Sequence, residues 1–437
     1  MWATMTGIIR SALSAQKQFM VFSALVILTT CSLSYSQPQL VWLGTLGGNF
    51  SDGVDLEVSG SDVIVVGNSR NSAGYDRAFY WSRGSGMIEI TPLSGYDSSW
   101  ASRIKYGMVC VNSGARNNRF IRKAAIWSGG SLDPVRGWWF DTTYHVINSP
   151  AIGSYWSSDT ENSYNQRCGY IYVGGSGRSY NTCSWWNDAL LPHELIDSDD
   201  GYIVGFYTAS ASGIPNYKYV GVVIPPNADP NTYSIIIGDN CIPRSIVGGH
   251  VVGTIVPPIS TRSSPFYFNV TSRQRIDLRG RGFHCSANDV SRDGTRIVGS
   301  GEEATDERIF YYPLVWQRDI SGQWLMFDLN RWFSSGGSYL ISVNAISQDG
   351  RYITGRGYNA ATRRIEAYLA DLQSIYLCES HSGDVNNNRC VDDADLLAVL
   401  FAFGRTGNNL GRVDVNCDRV VDDVDLLQVL FNFGSGC

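Results

Sequence analysis

The chain has 437 residues, enough for one large domain and a smaller module. Its 46 glycines, 24 tyrosines and 13 tryptophans are typical of an all-β secreted protein. The net charge of −6 resides in the last sixty residues, where ten acidic side chains outnumber four basic ones. A neutral body and an acidic tail argue against nucleic acid as a partner, since phosphate binding needs clustered basic charge.

Residues 1–36 are predicted to be a secretory signal peptide. Arg10 and Lys17 precede an apolar run over 19–28, and small and polar residues follow up to Ser36. The run is too short for a membrane-spanning helix, so we expect no transmembrane helix in the mature chain. Residues 28–31 faintly resemble a lipoprotein acylation site, although threonine before Cys31 is unusual there. We therefore expect an extracellular or cell-surface protein in an oxidising compartment.

The body, residues 37–372, repeats a short pattern. An apolar pair ending in glycine or asparagine closes one strand, and an apolar-aromatic strand follows 12 to 18 residues later. The pairs end at Gly67, Asn112, Gly174, Gly205, Gly253, Gly299 and Gly355. From Gly67 to Gly355 the six steps average 48 residues, which fits the blades of a β-propeller. The pattern predicts seven blades, or six because the third repeat is irregular, and segment 40–46 is expected to close the last blade.

This pattern, together with the segment Leu-Gly-Thr-Leu-Gly-Gly at 43–48, resembles the HAF-type extracellular repeat. The resemblance implies a secreted repeat protein. It implies no established chemistry and no functional residue.

The sequence of the body contains no recognised catalytic motif. Its histidines are scattered, and metalloprotease, serine-hydrolase and phosphate-loop patterns do not occur. A glycosidase pair could lie among Glu302, Glu303, Asp306 and Glu307, but a solvated loop is the simpler interpretation. A glycan is a candidate ligand, because aromatic faces stack on sugars and five tryptophans lie in loop-like stretches, at Trp138, Trp139, Trp156, Trp185 and Trp186. Cys168 and Cys183 could bridge a hairpin.

The last sixty residues contain one unit twice, at 384–395 and 414–425. Oxygen-bearing side chains occupy positions 1, 3, 5, 9 and 12, the ligand order of a twelve-residue calcium loop in which position 7 contributes a carbonyl. The predicted ligands of loop one are Asp384, Asn386, Asn388, the Cys390 carbonyl, Asp392 and Asp395. Those of loop two are Asp414, Asn416, Asp418, the Val420 carbonyl, Asp422 and Asp425. The two aspartates at position 12 are expected to be bidentate.

Position 6, normally a glycine, is Arg389 in loop one and Arg419 in loop two. A non-glycine residue costs about 1 kcal/mol if φ must be positive, so we expect weaker binding or a different turn. Loop one has three carboxylates among its ligands and loop two has four. Tighter calcium binding is therefore expected in loop two.

A short amphipathic helix is predicted after each loop, ending at Gly404 or Gly434. The stripes expected to form the core between the helices are Leu396, Val399, Leu400 and Phe403, and Leu426, Val429, Leu430 and Phe433. The residues pointing away, which could bind a partner or widen the core, are Leu397, Phe401, Leu427 and Phe431.

A duplicated loop with aspartate at position 12, one following helix per loop and no entering helix resembles a type I dockerin over residues 378–437. The resemblance implies two calcium ions and calcium-dependent binding, through the helices, of a cohesin-like protein or surface scaffold. Residues 393–394 and 423–424 occupy the recognition pair of that family but are not its usual Ser-Thr. A calcium-stabilised cap without a partner is the alternative.

The tail contains four cysteines, which allow three disulfide pairings. Small modules with little core are commonly reinforced by disulfides. We expect Cys378–Cys437 to clasp the ends and Cys390–Cys417 to join the loops. Zinc is not expected, because the sequence has no CxxC or His/Cys cluster.

These features predict an all-β seven-bladed (alternatively six-bladed) β-propeller followed by a small α-helical, dockerin-like module. The functional expectation is a secreted non-enzymatic repeat protein whose calcium-binding tail attaches it to a protein partner or the cell surface. The alternative is a carbohydrate-binding or polysaccharide-degrading propeller protein.

Overall fold

The computed structural model describes the backbone of residues 39–437 apart from 116–117, 135–141, 147–149, 159–164, 174–178, 182–193, 211–216, 227, 229–233 and 258–261. Within the strands, the side chains of 118–122, 142–181, 194, 208–210 and 217–218 are also outside the description. The predicted signal peptide therefore lies outside the described residues, and so do the side chains of the Cys168–Cys183 pair and of the five tryptophans.

In the described part of the chain, twenty-eight strands form seven four-stranded antiparallel units. The first three units are β2 (Gly47–Ser59), β3 (Asp62–Asn71), β4 (Asp76–Ser82) and β5 (Gly86–Ile90); β6 (Ser98–Lys105), β7 (Met108–Ala115), β8 (Asn118–Ser128) and β9 (Ser131–Pro134); and β10 (Thr142–Val146), β11 (Pro150–Ser158), β12 (Asn165–Val173) and β13 (Ser179–Asn181). The next three are β14 (Glu194–Asp199), β15 (Tyr202–Ser210), β16 (Tyr217–Ile224) and β17 (Ile235–Asp239); β18 (Cys241–Val247), β19 (His250–Ile255), β20 (Ser264–Asn269) and β21 (Gln274–Asp277); and β22 (His284–Val290), β23 (Arg296–Ala304), β24 (Ile309–Arg318) and β25 (Trp324–Asp328).

The seventh unit is completed from the other end of the described chain. Its strands β26 (Tyr339–Ile346), β27 (Tyr352–Asn359) and β28 (Arg364–Asp371) are followed in the sheet by β1 (Gln39–Gly44), which pairs antiparallel with β28. A single parallel pair, Phe50 with Ile365, joins this unit to the first one. The fold is an all-β propeller, and the prediction that segment 40–46 closes the last unit is confirmed.

A β-bulge interrupts the inner strand of every described unit at the same place. In the sixth unit the register shifts between Ala287 and Asp289, and Ala287 pairs with Gly299 of the second strand. A Cβ at Gly299 would lie 2.0 Å from the carbonyl oxygen of Ser286, so a larger residue would have to displace the inner strand. The recurring glycine of the sequence is therefore the partner of the bulge. The second unit is an exception, because Val111 lies opposite its bulge and the predicted repeat residue Asn112 pairs with Trp100.

The third repeat corrects one assignment made from the sequence. There the residue opposite the bulge is Gly153 in the second strand, β11, whereas the pattern ending at Gly174 follows the third strand, β12. The pair that precedes Gly153 is Ala151 and Ile152, which is a weaker apolar signal than Tyr172 and Val173. The third repeat looks irregular in the sequence because its pattern assigns Gly174, rather than Gly153, as the repeat glycine.

The hydrophobic core lies between neighbouring units. Val66 and Ala78 of the first unit, for example, pack with Ile104 and Val109 of the second, and all four are buried. Among the described side chains, the faces of the units are thus buried largely against neighbouring units, so the closing strand matters to the whole fold.

The tail folds as two loops, each followed by a helix. A short helix α1 (Asn330–Phe333) links the sixth and seventh units, and α2 (Asp393–Ala402) and α3 (Asp423–Phe431) follow the loops. The predicted glycine stops are confirmed, since Gly404 and Gly434 adopt φ angles of 79° and 80°. No helix among the described residues is long and apolar enough to cross a membrane.

Half of each predicted helix stripe lies outside the core. Val399 and Val429 are fully buried, but four other stripe residues are 45–51% exposed, namely Leu400, Phe403, Leu430 and Phe433. The core is instead completed by valines at loop positions 2 and 8, namely Val385, Val391, Val415 and Val421. Because the helices have only ten and nine residues, a narrow face of each is enough to cover the loops.

The predicted disulfide pairing in the tail is wrong. The described cysteines of the tail pair as Cys378–Cys417 and Cys390–Cys437. Backbone hydrogen bonds of 2.8 and 3.0 Å hold the C-terminal segment against Val391, which brings the last cysteine to loop one. Cys390 is at loop position 7 and Cys417 at position 4, so the paired loops do not bring them together. The disulfides are consistent with export, which stays a prediction.

The tail packs against the β24–β25 hairpin of the sixth unit. The Gln317 side chain donates to the carbonyl of Asn408 (2.9 Å), and Ile320 packs on the core of the tail. An exposed ion pair joins Arg331 to Glu379. Body and tail therefore belong to one compact unit over the described residues.

Closure by β1 can be tested within that strand. Trp42 packs on the core of the seventh unit with its ring edge-on to Tyr368 (6.3 Å), whereas Val41 is 39% exposed. We expect Trp42→Ala to lower the free energy of unfolding by about 2–4 kcal/mol. Val41→Ala should change it by less than about 0.5 kcal/mol. Urea unfolding followed by far-UV circular dichroism measures both, and equal losses would contradict the role given to this strand.

Candidate functional site

The two tail loops each curl around the carboxylate at position 1. Asp384 accepts hydrogen bonds from the backbone N–H groups of Asn388 (3.0 Å) and Arg389 (2.9 Å). Asp414 accepts the corresponding bonds in loop two, at 3.1 and 2.9 Å. The same residue type therefore organises both loops in the same way.

The arginine at position 6 does not change the turn. Arg389 and Arg419 have φ angles of 76° and 77°, in the left-handed region that glycine normally supplies. Each arginine thus accepts a strain of about 1 kcal/mol in order to keep the turn that a calcium loop uses. The sequence led us to expect either weaker binding or a different turn at this position, and the observed φ angles exclude the different turn.

The side chains at positions 3, 5 and 9 fold back on their own loop. Asn386 accepts from the N–H of Asn388 (3.0 Å), and Asn388 accepts from that of Cys390 (2.8 Å). Asp392 accepts from the N–H of Ala394 at the start of α2 (2.9 Å). Loop two repeats all three bonds. These Asx turns fix the loop backbone.

The aspartate at position 12 is fully buried in both loops. In loop one, Oδ1 of Asp395 accepts from the N–H groups of Val385 (2.7 Å) and Asn386 (3.0 Å), and Oδ2 accepts from that of Asp392 (2.9 Å). Asp425 makes the same three bonds in loop two. A bidentate ligand would have to share these oxygens with the amides, so the bidentate role stays a prediction.

The loops offer oxygen ligands of the type that calcium prefers. Within the described ranges, no three His, Cys, Asp or Glu side chains form a group that could hold a metal ion as they stand. Each predicted set relies in part on asparagine and carbonyl oxygens, which such a group does not include. The residues fit calcium by chemistry and by turn geometry, and calcium binding itself stays a prediction.

Loop two is also tied to the propeller. The Tyr376 hydroxyl donates to the carboxylate of Asp414, and the Arg419 guanidinium lies 5.1 Å from the tyrosine ring. Ile375 and Leu377, on either side of this tyrosine, are buried in the core of the seventh unit. The position-1 carboxylate of loop two is therefore fixed by the body as well as by its own loop.

A second candidate site lies on the propeller axis. A cavity of about 380 Å³ there is lined in part by the residues that directly follow the bulges of five units. These residues are Asp55, Arg103, Asp197, Ser245 and Asp289. They are buried, apart from Arg103, whose side chain is 17% exposed. The cavity is thus lined by charged and polar groups from five different units.

Arg103 reaches across this cavity. Its guanidinium donates to the carboxylate of Asp197 (3.2 Å) and to the carbonyl of Arg244 (3.2 Å), and it lies 3.7 Å from the carboxylate of Asp55. One cation is therefore shared between aspartates of the first and fourth units. Such a shared cation stabilises the ring only while its carboxylate partners remain.

The aspartates also connect neighbouring units. Each accepts a hydrogen bond from a backbone N–H in the next unit: Asp55 from Ile104 (2.8 Å), Asp197 from Ile246 (2.9 Å) and Asp289 from Ile346 (2.9 Å). Their oxygens are thus already engaged by the backbone. This arrangement identifies them as inter-unit contacts rather than as a free acid–base pair.

The cluster holds at least one extra proton. The Ser245 hydroxyl lies 2.9 Å from the carboxylate of Asp197 and 2.7 Å from that of Asp289. A hydroxyl has one proton to donate, so the other short contact needs a proton on a carboxyl group. Burial raises the pKa of Asp289, and it raises that of Asp55 to about 7 although the nearby Arg103 lowers it.

No motif in the sequence predicted this cluster. Its residues are spread over five repeats. The one local signal, present at some of them, is a polar residue followed by an apolar one in the strand before the repeat glycine. Of the glycosidase pairs considered among Glu302, Glu303, Asp306 and Glu307, the combination of Glu302 with Glu303 is not supported by the geometry. These two residues are consecutive on β23 and so point to opposite faces, and Glu303 accepts from the Tyr312 hydroxyl at 3.2 Å.

Comparison with known protein families and with curated proteins finds no match to this sequence. Solved structures of similar fold include a puromycin-hydrolysing peptidase of Mycobacterium tuberculosis, at 10% identity and a TM-score of 0.43, with 77% of this chain and 56% of that chain covered. The β-propeller domain of the Trilobed protease from Pyrococcus furiosus has 9% identity and a TM-score of 0.43, with 74% and 96% covered. An oligogalacturonate lyase in complex with manganese has 9% identity and a TM-score of 0.42, with 77% and 98% covered.

These comparisons contradict the expectation of a non-enzymatic repeat protein, because the similar structures are peptidases, a hydrolase and a lyase. The chain spans little more than half the length of the peptidase. At this level of identity the likeness is one of fold. It transfers no activity, substrate or catalytic residue to this chain.

The axial carboxyls predict a pH dependence of stability. The pKa of Asp55 is about 7 in the folded chain against an ordinary 3.8, so its protonated form is stabilised by folding. That stability is fully present below about pH 4 and is lost as the pH rises through 7. We expect the free energy of unfolding to fall by about 2 kcal/mol between pH 5 and 7.5 through this group.

Chemical denaturation at the two pH values measures this fall. In the Asp55→Asn variant the free energy of unfolding should fall less over this pH range. Some of the fall should remain, because burial also raises the pKa of Asp52 to about 6. Asp76→Asn, which changes a 41% exposed carboxylate of the same unit, is the matched control. An unchanged fall in Asp55→Asn would contradict the raised pKa of Asp55.

Proposed function

We propose that the tail binds two calcium ions, one in each loop, and that the ions stabilise the tail against the edge of the propeller. The observation that carries the proposal is the conformation of Arg389 and Arg419. Both hold a left-handed backbone that disfavours arginine, and both do so at the position where a calcium loop turns. Left-handed arginines also occur in two hairpins of the body, at Arg273 and Arg363. The support for calcium is therefore that this conformation occurs at position 6 of both loops, where the oxygen ligands of a calcium loop surround it.

The residues that would hold the ions are the twelve predicted ligands. In loop one they are Asp384, Asn386, Asn388, the Cys390 carbonyl, Asp392 and Asp395, and in loop two Asp414, Asn416, Asp418, the Val420 carbonyl, Asp422 and Asp425. When bound, calcium would supply the positive charge that offsets three carboxylates in loop one and four in loop two. The larger negative charge of loop two supports its tighter binding.

The helices supply the place where a protein partner of the kind implied by the dockerin resemblance would bind. Phe401 and Phe431 occupy equivalent positions on α2 and α3, and both are 82% exposed. Leu397 and Leu427 beside them are 49% and 44% exposed. These residues point away from the core, as the sequence predicts, and a partner on them stays a prediction.

Calorimetric titration of the full chain with calcium tests the proposal. We expect two sites, the tighter in loop two, and a rise in the midpoint of thermal unfolding at saturation, because an ion that binds only the folded tail stabilises it. Asp395→Asn should remove the weaker site and Asp425→Asn the tighter one.

Each variant has a neighbouring control. Asp393→Asn and Asp423→Asn change exposed carboxylates two residues away that are not predicted ligands, and they should keep both sites. Circular dichroism with the disulfides intact establishes that each variant is folded. A wild-type chain that takes up no calcium, or controls that lose as much as the ligand variants, would overturn the proposal.

A further inference from the structure

A second cavity, of about 190 Å³, lies between the inner strands of the fifth, sixth and seventh units. It is lined by the bulged residue of β18 and by residues near the beginnings of β22 and β26, and it shares no lining residue with the axial cavity. Hydroxyl groups are prominent in its wall, and two guanidinium groups, Arg244 and Arg356, contribute to it. Its lining therefore suits a polar ligand of small size.

Arg244 is the bulged residue of β18, between Pro243 and Ser245. Its Nε donates to the hydroxyl of Thr254 (3.0 Å). Among the residues described, no carboxylate lies within ion-pair distance of this guanidinium, so four of its five N–H donors are left for another acceptor. The side chain is open to solvent at the cavity, yet the surrounding protein desolvates it enough to lower its pKa.

The opposite wall holds two further groups with unused capacity. Ser342 of β26 pairs across the sheet with Arg356 of β27. The Ser342 hydroxyl oxygen is buried and has no hydrogen-bond partner in the described part of the chain. Arg356 makes one contact with the carboxylate of Asp52, through Nη1 at 3.3 Å.

The buried Ser342 hydroxyl has lost water without gaining an equivalent bond, which is unfavourable. The exposed Arg244 guanidinium has no counter-ion among the described residues. A planar or tetrahedral oxyanion would satisfy both, since guanidinium groups bind carboxylates and phosphates through paired hydrogen bonds. Glu302 also lines the cavity, but it is exposed and lies outside ion-pair distance of both guanidinium groups in the described structure. It leaves the positive charge of Arg244 uncompensated.

We propose that this cavity binds a small oxyanion, carried by a phosphate- or carboxylate-bearing molecule. Arg244 provides the main ionic contact, and Arg356 and Ser342 complete the site from the seventh unit. The site is independent of the calcium loops, which share none of its residues.

Calorimetric titration of the full chain in calcium-free buffer tests this inference, with inorganic phosphate, sulfate and acetate as probes. We expect saturable binding of at least one probe with a dissociation constant of about 1 mM or tighter. Preference for phosphate or for acetate distinguishes the two sources of the oxyanion. Arg244→Gln should weaken binding about tenfold or more, and Ser342→Ala about threefold.

Arg364→Gln is the control, because it removes an exposed arginine of β28 that does not line the cavity. It should bind the probes as the wild type does. Thermal unfolding without anion gives a second readout, in which Arg244→Gln should be about as stable as the wild type because the exposed side chain forms no ion pair among the described residues. The inference is overturned if the wild type binds none of the probes, if Arg244→Gln binds them equally well, or if Arg364→Gln loses as much.

Discussion

The propeller depends on one close approach that recurs in at least four of its units, the first, fifth, sixth and seventh. At the bulge of the inner strand a carbonyl oxygen comes so near the second strand that a Cβ there would lie about 2 Å away, as at Gly67 and Gly299. The glycine lets the two strands stay together while the inner strand gains a residue. The residue after the bulge then lies at the propeller axis. This backbone constraint therefore places Asp55, Asp197 and Asp289 where they can join one unit to the next.

Two arginines near the axis illustrate opposite uses of a guanidinium group. Arg103 is shared between the carboxylates of Asp55 and Asp197, so its charge is compensated within the protein. Arg244 has a single hydroxyl partner, from Thr254, and its charge is left uncompensated by the described residues. A compensated cation holds structure together, whereas an uncompensated one is a place for an anion. The difference is visible only when the partners of each group are compared.

The tail combines an internal repeat with an asymmetric attachment. Both loops make the same backbone bonds and both keep an arginine at position 6 in the left-handed region. Only the carboxylate of loop two, at Asp414, is bonded to the body through Tyr376 among the described contacts. An ion in loop two would therefore stabilise the attachment of the tail directly. An ion in loop one would act through the core that the two loops share.

The sequence by itself determined the features that depend on neighbours a few residues apart. These are the repeat glycines in all units but the second and third, the closing strand, the loop positions and the helix ends at Gly404 and Gly434, because turns and periodicity are local. Tertiary structure decided the rest, since it brings together residues that no spacing relates. It placed Gly153 opposite the third bulge, paired Cys390 with Cys437, gathered the axial aspartates, and buried loop valines in place of half of each helix stripe. Distance along the chain does not reveal which distant residues must share a core or a charge, and that is where the sequence-based predictions were wrong.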